Sequence, residues 1–311
     1  MICRGGRRPE SHVRGGNRTG SALYRANASE GRDHYIPVFY LKQWNSADDQ
    51  LCEFSRPHKK VVHKRVAPKG TGFMHGLYSV PDFPPEKARY LEAEFMQKLD
   101  GKAAQALQTI LKVGPGDIGL VEGLSIAWAS FLYSLILRVP ETITSMQKLL
   151  DDRRAKLATM METTRSMTDV YGVTHTTEVK HRELKVQEVL PGFLAPGLVV
   201  RGIAAMQWRT KSVAAASHTM LTSDRPVIMT NGIAHAEGHL AIPISPTILF
   251  VATRNAETYG KISAMSDDLT VKAVNSKVSE QAVDYIYGVD SRQLSFVENR
   301  LGKRVQSTPL G

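Results

Sequence analysis

Residues 118–137, IGLVEGLSIAWASFLYSLIL, set the first constraint on this chain. The run approaches the roughly 20 apolar residues that a helix needs to cross a bilayer. Glu122, Gly119 and Gly123 interrupt its first part, Ser130 and Ser134 its second, and Arg138 follows directly. A helix apolar on all sides but carrying such groups belongs in the middle of a globular core. No membrane span is expected, and the other elements must wrap this helix.

The flanking sequence supplies them. Pro84 and Pro85 open a helix over residues 85–113, with Leu91, Phe95, Leu99, Ala103, Ala106, Leu107 and Ile110 on one face. GPGD ends it, and Asp117 is the next N-cap. Pro140 breaks or kinks the apolar helix, and a polar helix over about 141–167 leaves the core. Residues 172–190 are polar and Thr-rich, either a strand pair or a mobile insertion. A helix follows from about 196. The pattern then shortens to QWRTKSVAAA, HTMLTS, PVIMT, HLAIPI and TILFVATR, separated by Asp-Arg-Pro, Asn-Gly and Ser-Pro. That is the punctuation of antiparallel strands. Helices over about 265–272 and 275–287 close the domain.

At the other end, His34-Tyr35-Ile36-Pro37-Val38-Phe39-Tyr40-Leu41 begins the ordered part. Ile36 precedes a proline and is pushed to extended geometry, whereas Pro37 is suited to starting a helix, which should run to about Trp44. QLCEFSR and KKVVHKRV read as a hairpin around Arg56-Pro57-His58, with a further extended piece over residues 73–80. The class is therefore α+β, a central helical bundle packed against an antiparallel sheet that joins the N-terminal hairpin to the C-terminal strands.

Charge divides the chain unevenly. The net charge is +10 over 311 residues. Residues 1–32 hold seven arginines against Glu10 and Glu30, and residues 56–76 hold six basic residues and no acid, so the rest is close to neutral. The first segment, rich in Gly, Arg, Ser and Asn, is expected to be a disordered tail. It has no apolar stretch of signal-peptide type. Residues 33–300 should form a single domain, with a short tail over 301–311. Two cysteines, Cys3 and Cys52, make no disulfide framework and fit a cytoplasmic protein.

Taken in order, several spaced elements resemble a bacterial family known as domain of unknown function 4238. They are His34-Tyr35-Ile36-Pro37-Val38-Phe39-Tyr40-Leu41, the hairpin and basic loop of residues 51–68, Tyr78, a helix bearing Glu92 or Glu94, and Arg138-Val139-Pro140. Thr222-Ser223-Asp224-Arg225-Pro226, Pro243-Ile244-Ser245-Pro246 and Asn275 follow. The resemblance spans residues 33–290. The family more often has Asn where this chain has Arg225. The resemblance implies an α+β fold and carries no activity with it.

Four residues are candidates for catalysis: His34, Arg138, Asp224 and Glu94. His34 is a histidine in an aromatic setting, and its ordinary pKa suits proton transfer. Arg138 can cap its helix, pair with an acid such as Glu94, or fork a phosphate or carboxylate. Asp224 is either a turn-former or a general base, and Ser223 lacks the elbow of a hydrolase nucleophile. Tyr35, Tyr40, Ser223 and Asn275 are candidate binding residues, with core or turn roles as the alternative. Lys59, Lys60, Lys64 and Arg65 are candidates for contact with nucleic acid or another anionic partner through residues 56–69. His235-Ala236-Glu237-Gly238-His239 has the wrong order and setting for a zinc helix, and no metal site is expected. Two functions follow as expectations. One is a hydrolase or nuclease-like enzyme on a phosphate-containing substrate, and the other is a binding module for an anionic partner.

Overall fold

The computed structural model describes residues 31–79, 91–116, 123–170 and 184–302, without the side chains at 92–93 and 158–170. The arginine-rich segment and the chain end thus lie largely outside the described residues. So do the helix start expected at residue 85, the cap at Asp117, and most of the stretch 172–190.

Strand β1 (Arg32–His34) pairs with β4 (Phe73–His75). Pro37 then caps helix α1 (Val38–Leu41) in extended geometry, and a 3-10 turn completes the segment at Trp44. The switch at Ile36-Pro37 is the one expected from a proline at a helix start. Hairpin β2 (Leu51–Ser55) and β3 (Val62–Val66) follows. A π-helical turn (Leu91–Met96) leads into α2 (Gln97–Val113), then come α3 (Leu124–Leu137) and α4 (Pro140–Val170). Helices α5 (Val186–Leu194) and α6 (Leu198–Ala204) precede the strands β5 (Gln207–Ser212), β6 (Thr222–Ser223), β7 (Ile228–Thr230), β8 (His239–Pro243) and β9 (Ile248–Thr253). Helices α7 (Ala256–Ser263) and α8 (Asp267–Gln281), strand β10 (Tyr285–Gly288) and α9 (Leu294–Glu298) end the described chain.

The fold is α+β with antiparallel sheets. One sheet runs β3-β2-β10-β6 and a second runs β5-β9-β8-β7, so the N-terminal hairpin reaches the C-terminal strands through β10. Two expectations need correcting. Residues 275–287 are not one helix: α8 ends at Gln281, and Tyr285-Ile286-Tyr287 forms a strand between β2 and β6. Residues 186–190 belong to α5 rather than to a strand pair.

Helix α3 lies in the core, with Trp128, Phe131 and Leu132 fully buried. Among the described residues no helix is long and apolar enough to cross a membrane. The serine hydroxyl at 134 donates to the Phe131 carbonyl at 2.7 Å, which removes the cost of burying it. Successive residues of β8 and β9 serve two separate apolar clusters. Leu240, Ile242, Phe250 and Ala252 face the helices, and Ala241, Leu249 and Val251 face the cluster containing Phe54, Val274 and Ile286. A strand buried on both faces reads as a continuous apolar run, as these two do.

Candidate functional site

Three of the sequence elements meet at one place, and the first holds the others together. Tyr40 donates or accepts a 2.7 Å hydrogen bond with the Thr222 hydroxyl, and its hydroxyl also lies 2.7 Å from the Pro243 carbonyl. Trp44 donates its indole N–H to the Met220 carbonyl at 2.8 Å. Both rings are fully buried. Tyr40 is thus a girder between α1, β6 and the end of β8, and burial lifts its hydroxyl pKa far above the ordinary value. Asn275 braces the same strand from α8. Its carbonyl accepts from Leu221 N–H, and its amide donates to Thr219 and Gln293. Ser223 accepts from the Arg225 N–H in a local turn. Tyr40, Ser223 and Asn275 are all buried, so their hydrogen bonds build walls.

The segment preceding α1 is fixed by Gly72. Its carbonyl accepts from both Tyr35 N–H and Ile36 N–H, at 3.0 and 3.1 Å. Gly72 has φ +64, and a Cβ there would come within 3.2 Å of Ile36 Cβ, so this approach needs a residue without a side chain. Asp33 accepts from Tyr78 N–H, and Tyr78 donates its hydroxyl to the His34 carbonyl at 3.4 Å. The consecutive side chains of His34 and Tyr35 then serve different neighbourhoods.

Tyr35 lines a small, partly open cleft, with a cavity volume of about 10 Å³, together with Val139, Pro140, Glu141, Asp224, Arg225 and Asp284. Asp224 is 3% exposed and accepts three backbone N–H bonds, from Val283 at 3.0 Å, Asp284 at 2.6 Å and Tyr285 at 2.9 Å. Burial nevertheless pushes its carboxyl up to about 7, against the downward pull of those three donors. Burial also raises the Tyr35 hydroxyl well above its ordinary value, helped by Tyr287 and Asp224. Arg225 and Glu141 form an ion pair at 3.3 Å across the cleft.

Beside this cleft lies a second, buried centre. Arg138 closes α3 and is 0% exposed. Its Nη1 holds both oxygens of Asp100, at 2.9 and 3.2 Å, and its guanidinium stands 5.5 Å from the Phe131 ring. The partner acid is therefore Asp100 and not Glu94, which is exposed and paired with Lys98 at 2.6 Å one helical turn away. Burial raises the Asp100 carboxyl, while the Arg138 charge opposes that shift. The other edge of the guanidinium, Nε and Nη2, is buried and has no hydrogen-bond partner among the described residues. His34 Nε2 is in the same condition. Burial lowers the His34 pKa, and the charges of Arg32 and Arg138 push the same way.

The basic run is partly consumed by the fold. Arg56 donates to the carbonyls of Leu301, Glu298 and Lys59, and Arg65 to Val289, Gln50 and Asp48. Lys64 pairs with the buried Glu53 at 3.0 Å. Lys59 and Lys60 are exposed on the hairpin connection.

Of the four catalytic candidates, then, the structure lines the cleft with Asp224 alone, buries Arg138 against Asp100, leaves His34 outside the cleft lining, and leaves Glu94 at the surface. Glu141, Asp284 and Asp100 were absent from the sequence-level candidates. Glu141 directly follows Arg138-Val139-Pro140 and was in principle within reach, but nothing in the pattern marks Asp100. The His235-to-His239 segment is a loop in which His235 Nδ1 accepts from Glu237 N–H. Among the described residues no group of three or more His, Cys, Asp or Glu could hold a metal ion.

A family model described as a protein of unknown function, DUF4238, matches residues 32–292. The chain belongs to the DUF4238 family. The match begins at β1 and ends past β10, so it takes in every wall of the cleft. No curated protein and no solved structure matches the chain. The family model offers no activity, so any reading of function rests on the geometry.

Proposed function

We propose that the protein is an enzyme that acts on a small polar molecule at the mouth of the cleft walled by Tyr35, residues 139–141, Asp224–Arg225 and Asp284, by acid–base chemistry of a hydrolytic type. One observation carries the reading: four segments far apart in the chain converge on a single cleft lined by carboxyls, a tyrosine and an arginine. Asp224, at about 7, lies in the range where a carboxyl exchanges protons efficiently at neutral pH. Glu141, one-third exposed, is the more accessible carboxyl, and Arg225 holds it in place. The cavity of about 10 Å³ has room for one water, which is the co-reactant at hand.

The competing reading, an extended anionic partner gripped along residues 56–69, has less support. Arg56, Lys64 and Arg65 are already engaged within the protein.

The test is a turnover panel of small phosphoesters, carboxylic esters and amides on the wild type, Tyr35→Phe and Glu141→Gln. Both substitutions keep the shape of the cleft. The reading expects one substrate class to be hydrolysed, with at least about a hundredfold loss in one or both variants. A panel without turnover, together with no small molecule that raises the melting temperature, overturns it.

A further inference from the structure

Residues 189–200, VLPGFLAPGLVV, carry no charged or hydrogen-bonding side chain. They form the corner between α5 and α6. Leu190, Leu194 and Val200 are buried and anchor the corner in the core. Its tip stands in solvent. Gly192, Phe193, Pro196, Gly197 and Leu198 are exposed, Phe193 by 51% and Leu198 by 93%. A lone exposed leucine is ordinary, but a whole turn of apolar residues in water is not. The backbone of the turn is also closed on itself. Pro191 and Pro196 have no N–H to satisfy. Ala195 N–H donates to the Pro191 carbonyl at 2.9 Å, and Gly197 N–H to the Ala195 carbonyl at 2.6 Å. The Pro196 carbonyl accepts from Arg201 Nε at 2.7 Å, and the Gly197 carbonyl from the Arg201 N–H at 3.0 Å. In water such groups need no internal partner, whereas hydrocarbon demands that they be satisfied from within.

We infer that this corner is a docking tip for a membrane surface rich in anionic lipid, into which Phe193 and Leu198 insert. The inference is independent of the cleft reading. Shape favours lipid over protein as the occupant. A side chain 93% exposed projects with almost nothing beside it, so a second rigid surface has little to pack against, whereas acyl chains close around it. Charge sets the sign of the headgroup. Arg201 is exposed, is the first charged residue after the tip, and is fixed at its base by the Pro196 carbonyl. Glu188, the last charged residue before the tip, is turned back onto the Lys185 N–H at 3.1 Å. The net charge of +10 adds attraction at a distance. Among the described residues no helix is able to span a bilayer, so the contact is a shallow one, about 5–10 Å deep.

Vesicles of phosphatidylcholine, with and without an equal share of phosphatidylglycerol, are the probe. The full chain should co-sediment with the mixed vesicles and much less with phosphatidylcholine alone. Leu198→Glu should lower the partition coefficient at least about tenfold. It should leave the melting temperature unchanged, because the side chain it replaces touches almost nothing. Arg201→Gln should weaken binding to the mixed vesicles about fivefold. Insertion is read separately from adsorption. Trp44, Trp128 and Trp208 are buried, so Leu198→Trp adds a reporter at the tip alone. Its emission should shift to the blue on the mixed vesicles and be quenched by brominated acyl chains. Four results overturn the inference. The first is no binding to mixed vesicles. The second is equal binding by Leu198→Glu, which would assign the attraction to the basic segments. The third is a Leu198→Trp emission that vesicles leave unchanged. The fourth is a wild type that dimerises without vesicles and that Leu198→Glu makes monomeric, which would make a second copy of the chain the occupant.

Discussion

Replacing Asp224 by asparagine tests how the cleft wall is held. Oδ2 accepts from Asp284 and Tyr285 N–H, and Oδ1 accepts from Val283 N–H. An amide can put its oxygen only in one of these positions. Set at Oδ2 it retains two bonds, now neutral, and turns its NH2 toward the Val283 N–H. One stranded buried donor costs about 1–3 kcal/mol. Below pH 5, where burial keeps the carboxyl protonated and as neutral as the amide, the variant should therefore lose about that much, read as a lower urea midpoint. The pH dependence gives a second handle. With the folded carboxyl at about 7 and an unfolded value near 3.8, the folded protein binds the proton more tightly. Stability from this group is then greatest at low pH and falls as pH rises from about 4 to about 7, by at most about 4 kcal/mol. Asparagine has no such term, so the gap between wild type and variant should widen on acidification. A variant as stable as wild type below pH 5 would refute the bracing role. A gap that narrows in acid would show that the three N–H donors outweigh burial, and would remove Asp224 as a proton-exchanging group at neutral pH.

Other perturbations separate the walls from the site. Tyr40→Phe strands the Thr222 hydroxyl and the Pro243 carbonyl and should cost about 1–3 kcal/mol in chemical denaturation; a neutral result would contradict the girder role. His34 has its pKa lowered from 6.5, so its contribution to stability is complete above that value and is lost as pH falls through the folded pKa. Wild type should therefore lose stability faster than His34→Asn below pH 6.5 in acid titrations of the unfolding midpoint, and parallel profiles would count against a buried neutral imidazole. Glu94→Gln, at an exposed pair with Lys98, should change stability by less than about 0.5 kcal/mol and leave ligand binding untouched; a large loss of binding would return it to the site.

Some of this architecture is legible in the sequence. Pro37 sets an extended-to-helix switch by its own covalent geometry, and the run through Trp128 and Phe131 is too apolar to sit anywhere but inside. The β2–β3 hairpin is local and reads from its alternation and turn. Strand β10 was not legible. Val278, Ala282 and Ile286 keep a four-residue step that imitates a helix, and the partners that make Tyr285–Gly288 a strand lie on β2, more than two hundred residues earlier. The pairing of Arg138 with Asp100 is hidden for a similar reason. It joins the end of one helix to the first turn of another, 38 residues away, with no periodicity to announce it. Asp224 shows a third limit. Its turn chemistry could be read from Ser-Asp-x-Pro, but the three amides it holds arrive with β10.

The account stands most directly on where a small ligand binds. The molecule that raises the wild-type melting temperature most would be titrated into isotope-labelled protein and the backbone amide shifts mapped. The account predicts saturable shifts concentrated at residues 35, 139–141, 224–225 and 284, where these four segments meet. Shifts concentrated along residues 56–69, with the cleft silent, would contradict it and favour an anionic partner on the hairpin.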